Sequence, residues 1–166
     1  MIFVTVGTHE QSFNRLIRYI DKMKEKGLIK EEVVIQTGYS TYEPGYCKFS
    51  KLFPYSEMCR LVKEARIVIT HGGPSSFIMP LQEGKIPIVV PRQKRYGEHV
   101  NNHQLEFCRA IEERSGNIIV VEEVRELKRA ILKYDKIVAQ MPASIKSHND
   151  IFNEEFEKVI NELFEK

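Results

Sequence analysis

The sequence predicts an α/β domain in which a parallel sheet is covered by helices on both faces, and three observations carry that expectation. Short apolar, β-branched runs recur along the chain. A longer amphipathic stretch follows nearly every one of them. The runs are near-continuously apolar, as strands buried on both faces must be. At 166 residues the chain holds one core and little more. It is read as a single Rossmann-like domain over residues 1–146, with right-handed crossovers, and an amphipathic helix over residues 147–166.

The elements follow in order. IFVTV (Ile2 to Val6) is the first strand. Gly7, Thr8 and His9 turn the chain into a helix from about Gln11 to Lys26. EVVIQTG (Glu32 to Gly38) is the second strand, and a Gly/Tyr/Ser/Pro-rich loop runs from Tyr39 to Tyr46. YCKFS (Tyr46 to Ser50) is a short third strand, after which Ser56 is expected to cap a helix through Glu64. RIVIT (Arg66 to Thr70) is the fourth, and His-Gly-Gly-Pro-Ser-Ser feeds a helix from about Ser75 to Gln82, ended by Gly84. PIVV (Pro87 to Val90) is the fifth strand, a helix from about Glu98 to Arg114 follows, and NIIVV (Asn117 to Val121) is the sixth. Helices near Val124 to Met141 and His148 to Lys166 close the chain.

Composition excludes several functions. With 42% hydrophobic and 29% charged residues and a net charge of +2, the charge is too small and dispersed for a nucleic-acid partner. No apolar run is long enough to span a bilayer, and the chain begins on a strand without a charged signal, so a cytoplasmic location is expected. Cys47, Cys59 and Cys108 are odd in number and far apart, which suggests reduced thiols and not a disulfide frame or zinc knuckle.

In a sheet of this kind ligands bind beyond the carboxyl ends of the strands. Two loops there are unusual: Gly7-Thr8-His9-Glu10-Gln11 after the first strand, and His71-Gly72-Gly73-Pro74-Ser75-Ser76 after the fourth. Glycines let backbone approach a ligand closely, and a helix N-terminus offers unpaired N–H groups with partial positive charge. Both suit a diphosphate; tight turning alone is the plainer reading of the same glycines. Neither loop is a G-x-G-x-x-G or a Walker loop, which argues against dinucleotide redox chemistry and NTP hydrolysis. The aspartates, Asp21, Asp135 and Asp150, form no Asp-x-Asp pair, so no metal site is expected and no cofactor. His99 and His103 are spaced i, i+4 on the expected helix, but no third zinc ligand is evident. No G-x-S-x-G elbow supports a serine nucleophile.

Four segments in order, FVTVGTHEQSFNRLI, ARIVITHGGPSS, GKIPIVVPR and EHVNNHQLEF, resemble the C-terminal, donor-binding half of GT-B glycosyltransferases of family twenty-eight. The likeness spans most of residues 2–110 and is greatest to the small subunits of split enzymes. These include bacterial capsule and exopolysaccharide β-1,4-galactosyltransferase subunits and the cytosolic subunit of the eukaryotic dolichol-linked N-acetylglucosaminyltransferase. The resemblance implies one half of a GT-B fold. It puts Gly7 and Thr8 at the donor diphosphate, and His71, Gly72, Gly73, Ser75 and Ser76 along the nucleotide pocket. Asn102, His103 and Gln104 fall on the motif that reaches the sugar hydroxyls; an exposed polar helix face is the plainer reading of Asn102 and Gln104. The family often places a ribose-gripping glutamate where this chain has Met79, and Glu83, one helical turn later, is the candidate substitute.

The function so implied is an inverting hexosyltransferase subunit that binds a UDP-sugar, galactose favoured. It would act with a membrane-associated subunit that supplies a polyprenyl-diphosphate-linked acceptor and the general base, so that the chain sits at the inner face of the membrane through that partner. The alternatives are a non-catalytic nucleotide-sugar-binding module and a complete small hydrolase or epimerase using His9 or His71. In the tail, Ser147 or Asn149 is expected to cap a helix whose apolar stripe, Phe152, Phe156, Val159 and Leu163, packs on this domain or docks on the partner.

Overall fold

A computed structural model of the chain describes residues 1–142, 158–159 and 161–162. Six strands form one sheet in the order β3-β2-β1-β4-β5-β6: β1 (Ile2–Thr5), β2 (Val33–Gln36), β3 (Lys48–Ser50), β4 (Ile67–His71), β5 (Ile88–Val90) and β6 (Ile119–Val120). Every pairing is parallel, with Ile2 opposite Val33 on one side and Ile67 on the other. The helices are α1 (Asn14–Glu25), α2 (Tyr55–Glu64), α3 (Pro74–Gln82), α4 (His103–Ser115), α5 (Leu127–Leu132) and α6 (Tyr134–Ala139). The chain folds from β3 back across β1 to start β4, which makes the β1–β4 boundary the topological switch point and opens a crevice there.

The strand period divides the core between two faces. Ile2, Val4, Ile35, Ile67, Ile69 and Ile88 pack against Leu16, Ile17 and Ile20 of α1 and against Leu127 and Ile131 of α5. Their sequence neighbours point the other way. Phe3, Val34 and Val68 meet Leu61 and Val62 of α2, while Val89 meets Phe77, Phe107 and Ile111 of α3 and α4. This is the helix-covered parallel sheet that the sequence predicts.

Four local expectations change. The helix expected from Glu98 begins at His103. Gly97 takes a left-handed φ of 68°, the Glu98 carboxylate accepts the Gln93 N–H, and the Asn101 and Asn102 side chains take the N–H groups of His103 and Lys94. Asparagines that satisfy nearby backbone in this way compete with helix. Ser56 is no cap, since α2 begins a residue earlier behind Pro54 and makes no side-chain cap bond. The helix expected from Val124 to Met141 is a 3-10 turn at Val124–Glu126 followed by α5 and α6, broken at Lys133. α1 starts at Asn14, leaving residues 7–13 as a loop.

The tail stripe lies largely outside the described residues; Phe152, Phe156, Leu163 and the caps Ser147 and Asn149 are among those left out. Of the described part, Lys158, Val159, Asn161 and Glu162 are helical. Val159 is 1% exposed in the cluster with Phe77 and Phe107, and Glu162 pairs with Arg114 of α4 at 2.7 Å.

Candidate functional site: a carboxylate-free cleft at the switch point

A cleft of about 930 Å³ opens over the carboxyl ends of β1, β2 and β4. Gly7, Thr8, His9, His71, Ser75, Ser76 and Gln104 line it, together with His99. Of the other residues expected at the site, Gly72 and Gly73 are buried behind it. Glu83 sits exposed at the end of α3 away from the lining, where Met79 and Gln82 stand instead. Asn102 holds the Lys94 N–H at 3.0 Å, and neither it nor His103 lines the cleft. Because α4 starts at His103, His99 and His103 are not a helical pair. Among the described residues no group of three His, Cys, Asp or Glu side chains could hold a metal ion.

His71 organises the cleft. It ends β4, between the loops that leave β1 and β5, and its Nδ1 accepts the Gly73 N–H at 3.0 Å. A Cβ on Gly73 would stand 2.4 Å from His71 Cε1, and one on Gly7, whose φ is +75°, would stand 2.5 Å from His71 Nε2. These glycines were expected to admit the ligand's approach; on the side where a Cβ would stand, what they admit is the His71 ring. Gly72 is small for a similar reason, since its Cβ would fall 2.9 Å from both Cys108 Sγ and Gln104 Cβ.

Gln104 also has a structural task. Its Oε1 accepts the N–H groups of Gly72 and Arg92, each at 3.1 Å, and so ties the loops after β4 and β5 to α4. Ser76 turns its hydroxyl back on the His71 and Gly73 carbonyls, at 2.9 and 2.6 Å. Ser75 is exposed on the first turn of α3, next to Pro74, a residue suited to a first helical position. Polar residues at strand ends add to the lining: Thr5 donates to Gln36 Oε1 at 3.4 Å and accepts the Gly7 N–H at 3.2 Å.

The electrostatics are one-sided. Among the described lining residues there is no Asp, Glu, Lys or Arg. Behind them Arg92 is 0% exposed. Its guanidinium donates to the carbonyls of Gln11, Glu98 and Val6 at 2.7, 3.2 and 2.8 Å, and lies 4.9 Å from the centre of the Phe13 ring. Burial lowers its pKa to about 10. The Glu98 carboxylate is taken by Arg15, at 2.8 and 3.0 Å. Arg92 therefore hydrogen-bonds carbonyls while the Glu98 carboxylate, bonded to Arg15, attracts it only through space, and its field reaches His71 and His99 in the cleft. Burial first, then Arg92, push the His71 pKa down to about 3. Burial, then His9 and Arg92, lower that of His99. The His71 and His99 rings are held toward their neutral forms and the surroundings favour an anion, to which the N-terminus of α3 adds its dipole.

The sequence matches the Glycosyltransferase family 28 C-terminal domain over residues 1–163. The chain belongs to that family. A comparison with curated protein sequences finds no significant match. Among solved structures, the family 28 domain is similar to CalG4, the calicheamicin glycosyltransferase (TM-score 0.57, 11% identity, 95% of this chain and 38% of that one). It is also similar to the glycotransferase of kitacinnamycin (TM-score 0.55, 15% identity, 98% and 38%). ALG13, solved by NMR, matches with TM-score 0.56 and 17% identity over 93% of this chain and 94% of that one. The chain thus spans little more than a third of the first two and nearly all of the third. At these identities the likeness establishes the fold, one Rossmann-like half of a GT-B architecture.

The resemblance pointed to the loop residues of the cleft, and the structure adds His99, Thr5, Gln36, Tyr55, Met58 and Gln82. Thr5 and Gln36 had a readable signal, a polar residue closing an apolar strand. His99 had none, because its place depends on the helix starting late.

Proposed function

We propose that this family 28 domain binds a UDP-sugar in the cleft and is the donor half of an inverting glycosyltransferase. The observation that carries the reading is the pairing of an electropositive, carboxylate-free cleft with the switch-point position where this fold takes nucleotides. The diphosphate lies against the Gly7–Thr8 loop and the start of α3, where the Ser75 backbone and hydroxyl are available to it. Neutral His71 stands behind as a hydrogen-bonding wall. Gln82 takes the ribose-facing place for which Glu83 was expected, and Gln104 presents its amide nitrogen on the sugar side.

A carboxylate base is missing from the lining among the described residues, which fits a base contributed by another chain. A membrane-associated subunit would bring it, with a polyprenyl-diphosphate-linked saccharide of capsule or exopolysaccharide assembly. In the transfer the base removes the acceptor hydroxyl's proton and the oxygen attacks the anomeric carbon. The bond from that carbon to the diphosphate breaks, and N–H donors stabilise the departing UDP. Galactose is the favoured sugar. The same lack of a carboxylate favours a second reading, a module that binds nucleotide sugar and stabilises a partner without catalysing.

A thermal-shift screen of UDP-galactose, UDP-glucose and UDP-N-acetylglucosamine is the direct test. A ligand at 100 times its dissociation constant adds about 2.7 kcal/mol of stability. No shift with any of them would sink the donor reading. Transfer by the chain with the partner subunit, persisting in EDTA, separates the enzyme from the silent module. Binding without transfer by the pair leaves the module.

A further inference from the structure

His9 and His99 come from different loops, after β1 and after β5, yet their rings stack 4.8 Å apart at 34°. Both line the cleft on either side of the strand that ends in His71. Their hydrogen bonds set their tautomers. His9 Nε2 lies 2.9 Å from Gln11 Oε1, an oxygen that only accepts, so Nε2 carries the hydrogen and, in the neutral ring, Nδ1 has the lone pair. His99 Nδ1 accepts the Asn101 N–H at 3.4 Å, which leaves Nε2–H as its donor. His71 is locked the same way by the Gly73 N–H.

The groups packed round the pair are cationic or neutral. His71 faces it from β4, Arg92 from behind β5 and His103 from the start of α4. Glu98 precedes His99 but is held by Arg15 and the Gln93 N–H, and Glu10 beside His9 is exposed. A positive charge on His99 is therefore opposed by its neighbours, and an entering anion would reverse that balance.

We infer that the stacked His9–His99 pair is a clamp for one phosphate group of the donor, and that His9 takes up one proton from water as that group enters. The inference rests on the reading that the cleft binds a nucleotide sugar. His99 donates from Nε2 while neutral. His9 can donate from Nδ1 only after that nitrogen gains a proton, so binding and protonation are linked.

The test is titration calorimetry of the whole chain with UDP-galactose, UDP-glucose and UDP-N-acetylglucosamine. Each carries a diphosphate diester that does not itself titrate near neutrality. Between about pH 6 and about pH 8, affinity should fall roughly tenfold, with an uptake averaging about half a proton per ligand across that range in buffers of different ionisation enthalpy. His9→Asn places an amide N–H where protonated Nδ1–H would be; it should bind more weakly, with a flat pH profile. His99→Gln should bind better than His99→Ala. Wild-type affinity that is flat with pH, or a His9→Asn chain that keeps the slope, overturns the inference while the donor reading stands. If no UDP-sugar binds at any pH, the donor reading falls and the inference with it. Should His9→Asn not fold, the wild-type proton count alone decides.

Discussion

His71 shows how much one side chain can organise. Its ring fills the space that side chains on Gly7 and Gly73 would need, and its Nδ1 holds the Gly73 backbone. Gly73→Ala should therefore displace the ring and cost about 1–3 kcal/mol, as overpacking does. In the His71→Ala background the same change should cost far less, a coupling that a double-mutant cycle reads directly. Equal costs in both backgrounds would show that the ring is not what the glycine accommodates.

Acid should find the same histidine. His71 has an ordinary value of 6.5 when exposed and about 3 in the fold, so between those values the unfolded chain binds the extra proton. Its contribution is fully present above about pH 6.5 and is lost as pH falls through that window. His71→Asn keeps an acceptor for the Gly73 N–H but cannot titrate. The melting temperature of that variant should fall less between about pH 6 and pH 4 than the wild type's. Parallel profiles would contradict a buried, neutral His71.

At the scale of elements, α1 holds a loop that has little structure of its own. Residues 39–47 follow β2 without regular hydrogen bonding, and α1 side chains supply the partners. Asp21, 2% exposed, accepts the Tyr42 hydroxyl and the N–H groups of Gly45, Tyr46 and Cys47 at 2.8 to 3.2 Å. Asn14 Oδ1 accepts those of Thr41 and Tyr42, each at 3.0 Å. Burial raises the Asp21 pKa, but these bonds outweigh it and hold the carboxyl below its ordinary range. Asp21→Ala should cost more than about 3 kcal/mol, because several bonds to a charged acceptor are lost together. Hydrogen exchange should quicken in residues 42–47 before the sheet is affected, and uniform acceleration across the sheet would argue against a local role.

This element was half legible. The Gly/Tyr/Ser/Pro composition marked a loop, while Asp21 read only as one of three aspartates that form no Asp-x-Asp pair. Nothing local connected the two, since Asp21 meets Tyr46 across 25 positions. The late start of α4 was hidden for a comparable reason. Glu98 suits a helix by propensity, but Arg15, 83 positions away, and the Gln93 N–H hold it in a turn.

For the whole molecule, the tail decides how much surface is left for a partner. Val159 belongs to this chain's core, packed with Phe77, Phe107 and Ile111. Val159→Asp should then lower the melting temperature of the isolated chain sharply, by the several kcal/mol that a buried unpaired charge costs. Phe156→Asp separates the two readings of the stripe. If Phe156 docks on a partner, the change should leave melting and UDP-sugar binding intact while abolishing partner co-purification and acceptor transfer. Early melting of the Phe156→Asp chain would place the entire stripe in this domain.

The sequence by itself determined the sheet, the succession of strands and helices and the end of the sheet at which a site is expected. Those follow from hydrophobic period and from the glycines and prolines that punctuate it, properties carried within a few neighbouring residues. Only the tertiary structure decided what the site is made of. Gly73 makes room for His71, Gln104 joins two loops to a helix, His99 meets His9, and Arg92 charges the cleft without touching it. Each of these depends on a contact between residues brought together by the crossovers of the sheet, apart from the neighbouring pair His71 and Gly73, where the fold had to set the ring's direction. Burial, which disfavours a charge on His71 and keeps Arg92 out of water behind the cleft, exists only once those layers have closed.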